Sequence, residues 1–143
     1  MGTVHAPGAM VLLTRLAKVV YRRSSEEQLG MRLRWYVALS FLNDHDGASQ
    51  QALGEALCVD ANNLVLLLNE LEAAEYAERR RDPLDRRRHL VHLTATGRRA
   101  LDHAERAQES VESEVLAALD PDERATLRDL LARALDGAGP GAD

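Results

Sequence analysis

The chain has 143 residues, which is enough for one domain with a hydrophobic core but short for two. Its 45% hydrophobic and 29% charged residues indicate a globular protein. No apolar run approaches the roughly 20 residues of a membrane span. The net charge of −5, taken alone, argues against a nucleic-acid partner. The single cysteine excludes an internal disulfide framework. Because the N-terminal residues do not have the pattern of a signal peptide, a cytoplasmic location is expected.

The first third of the chain is predicted to form two helices. Residues 1–8 are expected to be a loose arm. Apolar residues then recur at helical spacing (9, 12, 13, 16, 17 and 20), which predicts a helix over 9–23. Residues 24–30 are expected to be a linker before a second helix over 31–43. That helix carries three of the five aromatic residues, namely Trp35, Tyr36 and Phe41.

The central residues have the pattern of a helix-turn-helix. Ser49 is suited to cap a short helix over 50–57, and Asp60 is suited to cap a longer one over 61–74. Cys58 and Val59 form a tight turn between them. Two helices joined by so short a turn are typical of this motif, whose second helix is the recognition helix.

A basic β-hairpin is predicted next. Two apolar-polar runs flank a turn that contains Asp-Pro and Asp-Arg, and six arginines occupy the ten positions 79–88. Over 79–99, eight arginines and two aspartates give +6, which leaves −5 − 6 = −11 for the rest of the chain. Such a local patch can bind phosphates although the whole chain is acidic. The expected fold is mainly α with a small β-hairpin wing, a winged helix-turn-helix core over 31–96.

Two further helices are predicted after the hairpin. Thr94 or Thr96 is suited to cap a long helix that ends near residue 118. Asp120 and Pro121, with Glu123 three residues after the cap, have the pattern of a second helix start. This last helix is expected to end near residue 135.

The outer helices are predicted to form a dimer. The apolar faces of 9–23 and 97–135 are not needed by the winged core and must be buried elsewhere. A homodimer in which these dimerisation helices intertwine buries them, whereas the alternative is that they fold back on their own chain. The chain is expected to be a single domain over 1–143, with a flexible tail over 137–143.

The hairpin and the helix-turn-helix carry a family resemblance. The segment 82–97 has an Asp-x-Arg pair at Asp85 and Arg87, followed by Leu93-Thr94 and Gly97. This segment closely resembles the wing signature of the MarR family, the multiple antibiotic resistance regulators. The segment 53–59 resembles the family's first helix-turn-helix segment, and the order and length of the helices are similar along nearly the whole chain.

The resemblance implies a dimeric DNA-binding transcription factor whose recognition helix lies in the major groove and whose wing reaches the minor groove. By position, Arg87 or its neighbour Arg86 would enter the minor groove, with Arg88 beside them. Asp85 would orient the entering arginine through a charge-assisted hydrogen bond. The family also implies a small phenolic or anionic effector that binds between the dimer helices and the winged domain and releases DNA.

Residues for such an effector pocket are few. Aromatic and basic side chains are the candidates, and they are Tyr21, Trp35, Tyr36, Arg15 and Arg34. The alternative is that the aromatic residues fill the core at the helix junction. Trp35 and Tyr36 are adjacent and diverge by about 100° on a helix, so at most one of them can face a given cavity well.

The recognition helix departs from the family pattern. Between Arg34 and Arg79 there is no Lys or Arg, whereas eight Asp and Glu residues lie there. The face opposite the buried leucines comprises Asn62, Leu66, Asn69 and Ala73, with Asn63 beside Asn62 and Val65 at the flank, and none of these residues is charged. One interpretation is that asparagines bind adenine edges while Val and Leu pack on thymine methyl groups. The other is that this face binds a protein.

Other candidates have weaker patterns. Ser49, Gln50 and Gln51 lie at a helix start, where they either donate to a phosphate or serve as ordinary caps. Cys58 in the turn is a candidate redox switch, but its acidic surroundings favour a small, partly buried structural cysteine. The five histidines lack metal-site spacing and no catalytic pattern is present, so no metal, cofactor or enzymatic activity is expected.

These features predict a cytoplasmic, homodimeric MarR-like repressor that binds a palindromic operator in double-stranded DNA. Two alternatives stay open. The first is a winged-helix protein-interaction module with a recognition helix that does not contact DNA. The second is a redox-sensing regulator that acts through Cys58.

Overall fold

A computed structural model describes residues 6–138, and the fold is mainly α with a small β-sheet, as predicted. In chain order the elements are α1 (Ala9–Arg23), α2 (Glu26–Leu29), α3 (Leu33–Asp44), β1 (Ala48–Ser49), α4 (Gln50–Leu57), α5 (Ala61–Ala73), β2 (Ala77–Arg81), β3 (His89–Leu93), α6 (Ala95–Val115) and α7 (Pro121–Gly137). The expected linker over 24–30 is wrong in part, because it contains α2. Ser25 caps this helix by accepting from the Gln28 N–H at 3.2 Å, and Gly30 ends it at a φ of 77°.

The wing has one strand more than predicted. β2 and β3 form the expected hairpin, and β1 adds an antiparallel strand in the order β1-β3-β2. Ala48 and Arg79 both lie opposite Val91. Because β1 has only two residues, no periodicity indicates it in the sequence. It leads directly into α4, so the sheet fixes the start of the helix-turn-helix relative to the wing.

The inner face of α5 holds the helix-turn-helix on the core. Leu64, Leu67, Leu68 and Leu71 are all buried, as their helical spacing predicted. Their neighbours in the core cluster come from α3, α4, β3 and α6 and include Leu39, Leu42, Leu53, Val91 and Leu101. Full burial of one such side chain contributes roughly 1.5–3 kcal/mol. The buried contacts of α5 are therefore made by its inner face.

The helix starts are capped where the sequence indicated. At four of them the capping oxygen accepts a hydrogen bond from the backbone N–H three residues later, at distances between 2.8 and 3.0 Å. The four capping residues are Ser49, Asp60, Thr94 and Asp120. The last forms the full capping box that its sequence predicted. Thr94, not Thr96, begins α6.

The two outermost helices leave apolar side chains in solvent. No residue of α1 or α7 is buried, whereas the first half of α6 contributes Leu101 and Ala104 to the core. The exposed large apolar residues of α1 and α7 are Met10, Val11, Leu12, Leu13, Val19, Tyr21, Leu130, Leu131 and Leu135. α7 includes Gly137, so the predicted tail begins too early, and its residues 139–143 lie outside the described part of the chain. Between residues 6 and 138, no helix is long and apolar enough to cross a membrane.

Candidate nucleic-acid interface

The turn of the wing is held by hydrogen bonds to two aspartates. Asp82 is nearly buried, its backbone N–H donates to the Arg88 carbonyl at 2.9 Å, and its Oδ1 accepts from the Leu84 N–H at 2.9 Å. The Asp85 carbonyl accepts from the Arg88 N–H at 2.9 Å. These local bonds give the turn a defined conformation, so the side chains that it exposes have defined directions.

Asp85 and Arg87 pair as the resemblance implied. The Arg87 Nε and backbone N–H both donate to Asp85 Oδ1, at 3.2 and 3.1 Å. The Arg87 side chain is nevertheless 92% exposed. The carboxylate thus holds the near end of the guanidinium and leaves its terminal Nη atoms to solvent or to a ligand.

The basic tip is smaller than the sequence suggested. Arg79, Arg80 and Arg81 lie in β2, not in the turn. Arg79 donates to Glu72 and, at 2.7 Å, to Asn69; Arg80 donates to Glu78; and Arg81 donates to the Arg86 carbonyl. The turn itself carries only Arg86, Arg87 and Arg88, and within residues 6–138 no carboxylate forms an ion pair with the first or the last of these.

The outward face of α5 is exposed and uncharged, but its asparagines differ. Asn62, Val65 and Leu66 are exposed. Asn63 donates from Nδ2 to Asp60 Oδ2 at 2.8 Å, so its amide belongs to the helix cap. The Asn69 Oδ1 accepts from Arg79. Of the three asparagines predicted to contact bases, only Asn62 is left without such an internal hydrogen bond among the described residues.

A groove of about 580 Å³ lies between the helix-turn-helix and the wing. It brings together the predicted residues of the α4 start and of the wing turn, because Ser49, Gln50 and Gln51 line it together with Arg87 and Arg88. The Ser49 hydroxyl oxygen is used as the α4 cap, and Gln51 donates to Glu55 at 3.3 Å. The groove is therefore basic at the wing, whereas its helix-turn-helix wall combines polar and apolar residues with the acidic Glu55 and Asp60.

Glu70 joins the recognition helix to α3, a contact that the sequence did not reveal. Its Oε2 accepts from Trp35 Nε1 at 2.8 Å, and its carboxylate lies 3.6 Å from Arg32 and 3.9 Å from Arg34. The Trp35 ring also packs edge-on against Tyr76 at 6.0 Å. The one signal in the sequence was Trp35 itself, because the indole N–H of an inward-facing tryptophan needs a hydrogen-bond acceptor.

Only part of the predicted effector pocket lies together. A cavity of about 510 Å³ between α1, α3 and the helix-turn-helix turn is lined by Tyr21 and Arg34. Trp35, Tyr36 and Arg15 do not line it. Tyr36 instead faces a cavity of about 630 Å³ that contains three glutamates of α6. Burial, together with Glu105, Glu112 and Glu109, raises the pKa of Tyr36 above its ordinary value.

Cys58 is not the partly buried residue that the sequence suggested. It is exposed and ends α4 in the left-handed conformation, at a φ of 54°. The reason is local, because the turn of the helix-turn-helix needs a positive φ at this position and turns the side chain outward. The residue lines both the groove and the cavity of Tyr21 and Arg34.

Comparison with known proteins identifies the family. A MarR family model matches residues 29–88, the segment from the end of α2 to the wing turn. A putative transcriptional regulatory protein for the hcr operon of Thauera aromatica is 37% identical over 98 residues, which are 68% of this chain and 59% of that protein. The transcriptional regulator HosA of Escherichia coli O111:H- is 31% identical over 101 residues, 71% of this chain and 75% of that protein. This chain belongs to the MarR family.

The solved structures agree with the MarR fold. A mutant MarR of E. coli, complexed with operator DNA, superposes with a TM-score of 0.73 and 25% identity, over 88% of this chain and 92% of that chain. The chain spans only 58% to 64% of the length of three of the curated relatives that it matches. The winged-helix fold and the membership of a transcriptional regulator family are thus established.

Proposed function

We propose that this MarR family member is a homodimeric repressor that binds double-stranded DNA, with α5 in the major groove and the wing in the adjacent minor groove. The observation that carries the proposal is the wing turn, where Asp85 orients the exposed Arg87 between two further arginines of the turn. Arginine suits a narrow minor groove because the negative potential is enhanced there. The similar structure of a mutant MarR of E. coli is a complex with operator DNA, which supports DNA as the partner.

The outward face of α5 favours a site that contains A·T pairs. Asn62 is suited to bind adenine N6 and N7, and Val65 and Leu66 to contact thymine methyl groups. None of these side chains carries charge, so the phosphate contacts fall mainly to the wing. Gln50, beside the Ser49 cap, is placed at the groove wall where a phosphate would pass.

Replacement of Asn62 by alanine is expected to relax base preference at one position of the half-site, at a cost of roughly 1–3 kcal/mol. The measurement is the Kd for the preferred duplex and for duplexes changed at single base pairs, at one stated salt concentration. Asn63→Ala is the control, because that amide is already bound to Asp60 and should not change the order of preference. An equal loss on every duplex would mean that Asn62 contacts the backbone.

The exposed apolar residues of α1 and α7 support a homodimer. Thirteen large apolar side chains are exposed within residues 6–138, and nine of them lie on these two helices. A patch of this kind marks an interaction surface. In a two-fold dimer the same patch serves both subunits, and it would set the two recognition helices at half-sites about one helical turn apart.

Replacement of Leu130 by glutamate should therefore convert the dimer to a monomer, as measured by sedimentation velocity. Each two-fold interface would contain two unpaired carboxylates, and each costs several kcal/mol. Leu66→Glu is a matched control: Leu66 is 56% exposed and Leu130 is 52% exposed, but Leu66 lies on α5. The control should remain dimeric. A dimer in both variants would place the subunit interface elsewhere.

A small phenolic or anionic effector is proposed for the cavity lined by Tyr21 and Arg34. Arg34 also lies 3.9 Å from Glu70 of the recognition helix. An anion that binds Arg34 would compete with that carboxylate and would loosen a contact between α3 and α5. Effector binding would in this way change the position of α5 relative to α3. The regulator is proposed to be cytoplasmic and to have no enzymatic activity.

Selection of duplexes from a random DNA library tests the proposed function. Enrichment of a palindrome whose half-sites lie about one helical turn apart is the expected result. Absence of any enriched sequence, at salt low enough for phosphate contacts to hold, would overturn the proposal. It would favour a protein-interaction module instead, because the uncharged face of α5 is equally suited to a protein partner.

A further inference from the structure

Leu84 is exposed at the tip of the wing. At 95%, its exposed fraction exceeds that of every other large apolar residue between 6 and 138. It belongs neither to α1 and α7, whose apolar residues the dimer would bury, nor to the outward face of α5. Exposure to this degree contributes nothing to the stability of the folded chain, so the Leu84 side chain is free to contact a partner of the wing.

The exposure is imposed by the turn and does not reflect a loose loop. The Leu84 N–H donates to Oδ1 of the nearly buried Asp82 at 2.9 Å. Pro83 precedes it and restricts the backbone. The Asp82 N–H and the Arg88 carbonyl close the turn at 2.9 Å. The leucine is thus presented in a fixed position at the end of the hairpin.

The neighbours of Leu84 define the chemistry of its partner. Arg86, Arg87 and Arg88 follow it in the same turn and are exposed. A surface that matches this turn must place negative charge beside an apolar strip. The minor groove of DNA has this pattern, because its walls are deoxyribose carbons and its edges are phosphates.

We propose that Leu84 packs against the deoxyribose walls of the minor groove. This contact adds to the affinity that the wing arginines provide, and its contribution does not depend on the salt concentration. The inference rests on the proposed function, since it requires the wing to enter that groove. Its energetic signature differs from that of an arginine. A phosphate contact releases counterions and changes the slope of log K against log salt by about 0.9, whereas an apolar contact leaves the slope unchanged.

The test compares the wild-type protein with Leu84→Ala and Leu84→Met, each titrated with the selected duplex over a range of salt concentrations. Leu84→Ala should weaken binding roughly ten-fold at every salt concentration, with an unchanged slope. Leu84→Met, which keeps the apolar volume, should bind within about two-fold of wild type. Arg86→Ala provides the contrast, because its loss should reduce the slope.

Hydroxyl-radical footprinting locates the contact, because these radicals attack deoxyribose hydrogens that face the minor groove. The wild type and Leu84→Met should protect the sugars at the wing position, and Leu84→Ala should protect them less, although the wing arginines still lie in the groove. Wild-type affinity for Leu84→Ala, or a loss accompanied by a smaller salt slope, would overturn the inference. Failure of the wild type to bind any duplex would overturn the proposed function and this inference with it.

Discussion

Replacement of Gly97 by alanine should destabilise the protein by about 3 kcal/mol, at the upper end of the cost of overpacking. A Cβ at this position would lie 2.0 Å from the Tyr76 carbonyl oxygen and 2.9 Å from a methyl group of Leu93. The first of these is backbone and cannot rotate away. Alanine is favoured over glycine in a helix by about 1 kcal/mol, so the clash decides the sign. The measurement is thermal unfolding, with an expected fall in Tm on the order of 10 °C.

Gly137→Ala is the matched control for this substitution. Gly137 is also helical, but a Cβ there would meet nothing within 4 Å. Because Gly137 is the last residue of α7, little of the helix preference for alanine applies there, and the stability should stay within about 0.5 kcal/mol of wild type. Both variants must be compared at one protein concentration, because dimerisation makes Tm depend on concentration. A Gly97→Ala protein as stable as Gly137→Ala would mean that α6 can move away from the strand that follows Tyr76 without cost.

Features that depend on a few neighbouring residues could be predicted from the sequence. A cap needs only a side-chain oxygen and an N–H three residues later, so Ser49, Asp60 and Asp120 were identified correctly, and Thr94 was one of the two candidates for the α6 cap. The buried face of α5 follows from the 3.6-residue helical repeat alone. The pairing of Asp85 with Arg87 spans two residues and was likewise expected from the wing signature.

Features that depend on the packing of distant segments could not be predicted. The sequence shows six arginines in the hairpin, but only the fold places Glu72 beside Arg79 and so reduces the basic tip to the turn. Trp35 was a candidate for an effector pocket, with the core as the alternative; the structure packs it against the core and its indole N–H donates to Glu70 of α5. The exposure of Cys58 follows from the backbone conformation of one turn residue, which its residue type does not indicate.

Replacement of Arg87 by alanine should weaken DNA binding about ten- to a hundred-fold on every sequence and lower the salt slope by about one. The reason is that Arg87 is one of only three arginines in the turn, and Asp85 already holds it in place. Arg128→Ala removes the same charge from α7, where Nη1 of Arg128 lies 3.3 Å from Asp129. Both variants change the net charge from −5 to −5 − 1 = −6, so a general electrostatic effect would weaken both equally.

Asp85→Ala separates orientation from charge, because the two effects predict opposite signs. Removal of a carboxylate beside DNA changes the net charge to −5 + 1 = −4 and on charge alone should strengthen binding. If Asp85 instead orients Arg87, loss of the carboxylate leaves the Arg87 side chain free to rotate. Binding must then immobilise that side chain, at an entropic cost of roughly 1 kcal/mol. Weaker binding by both Asp85→Ala and Arg87→Ala, with no further loss in the double variant, is the expected outcome. Stronger binding by Asp85→Ala would mean that the wing acts only through its total charge.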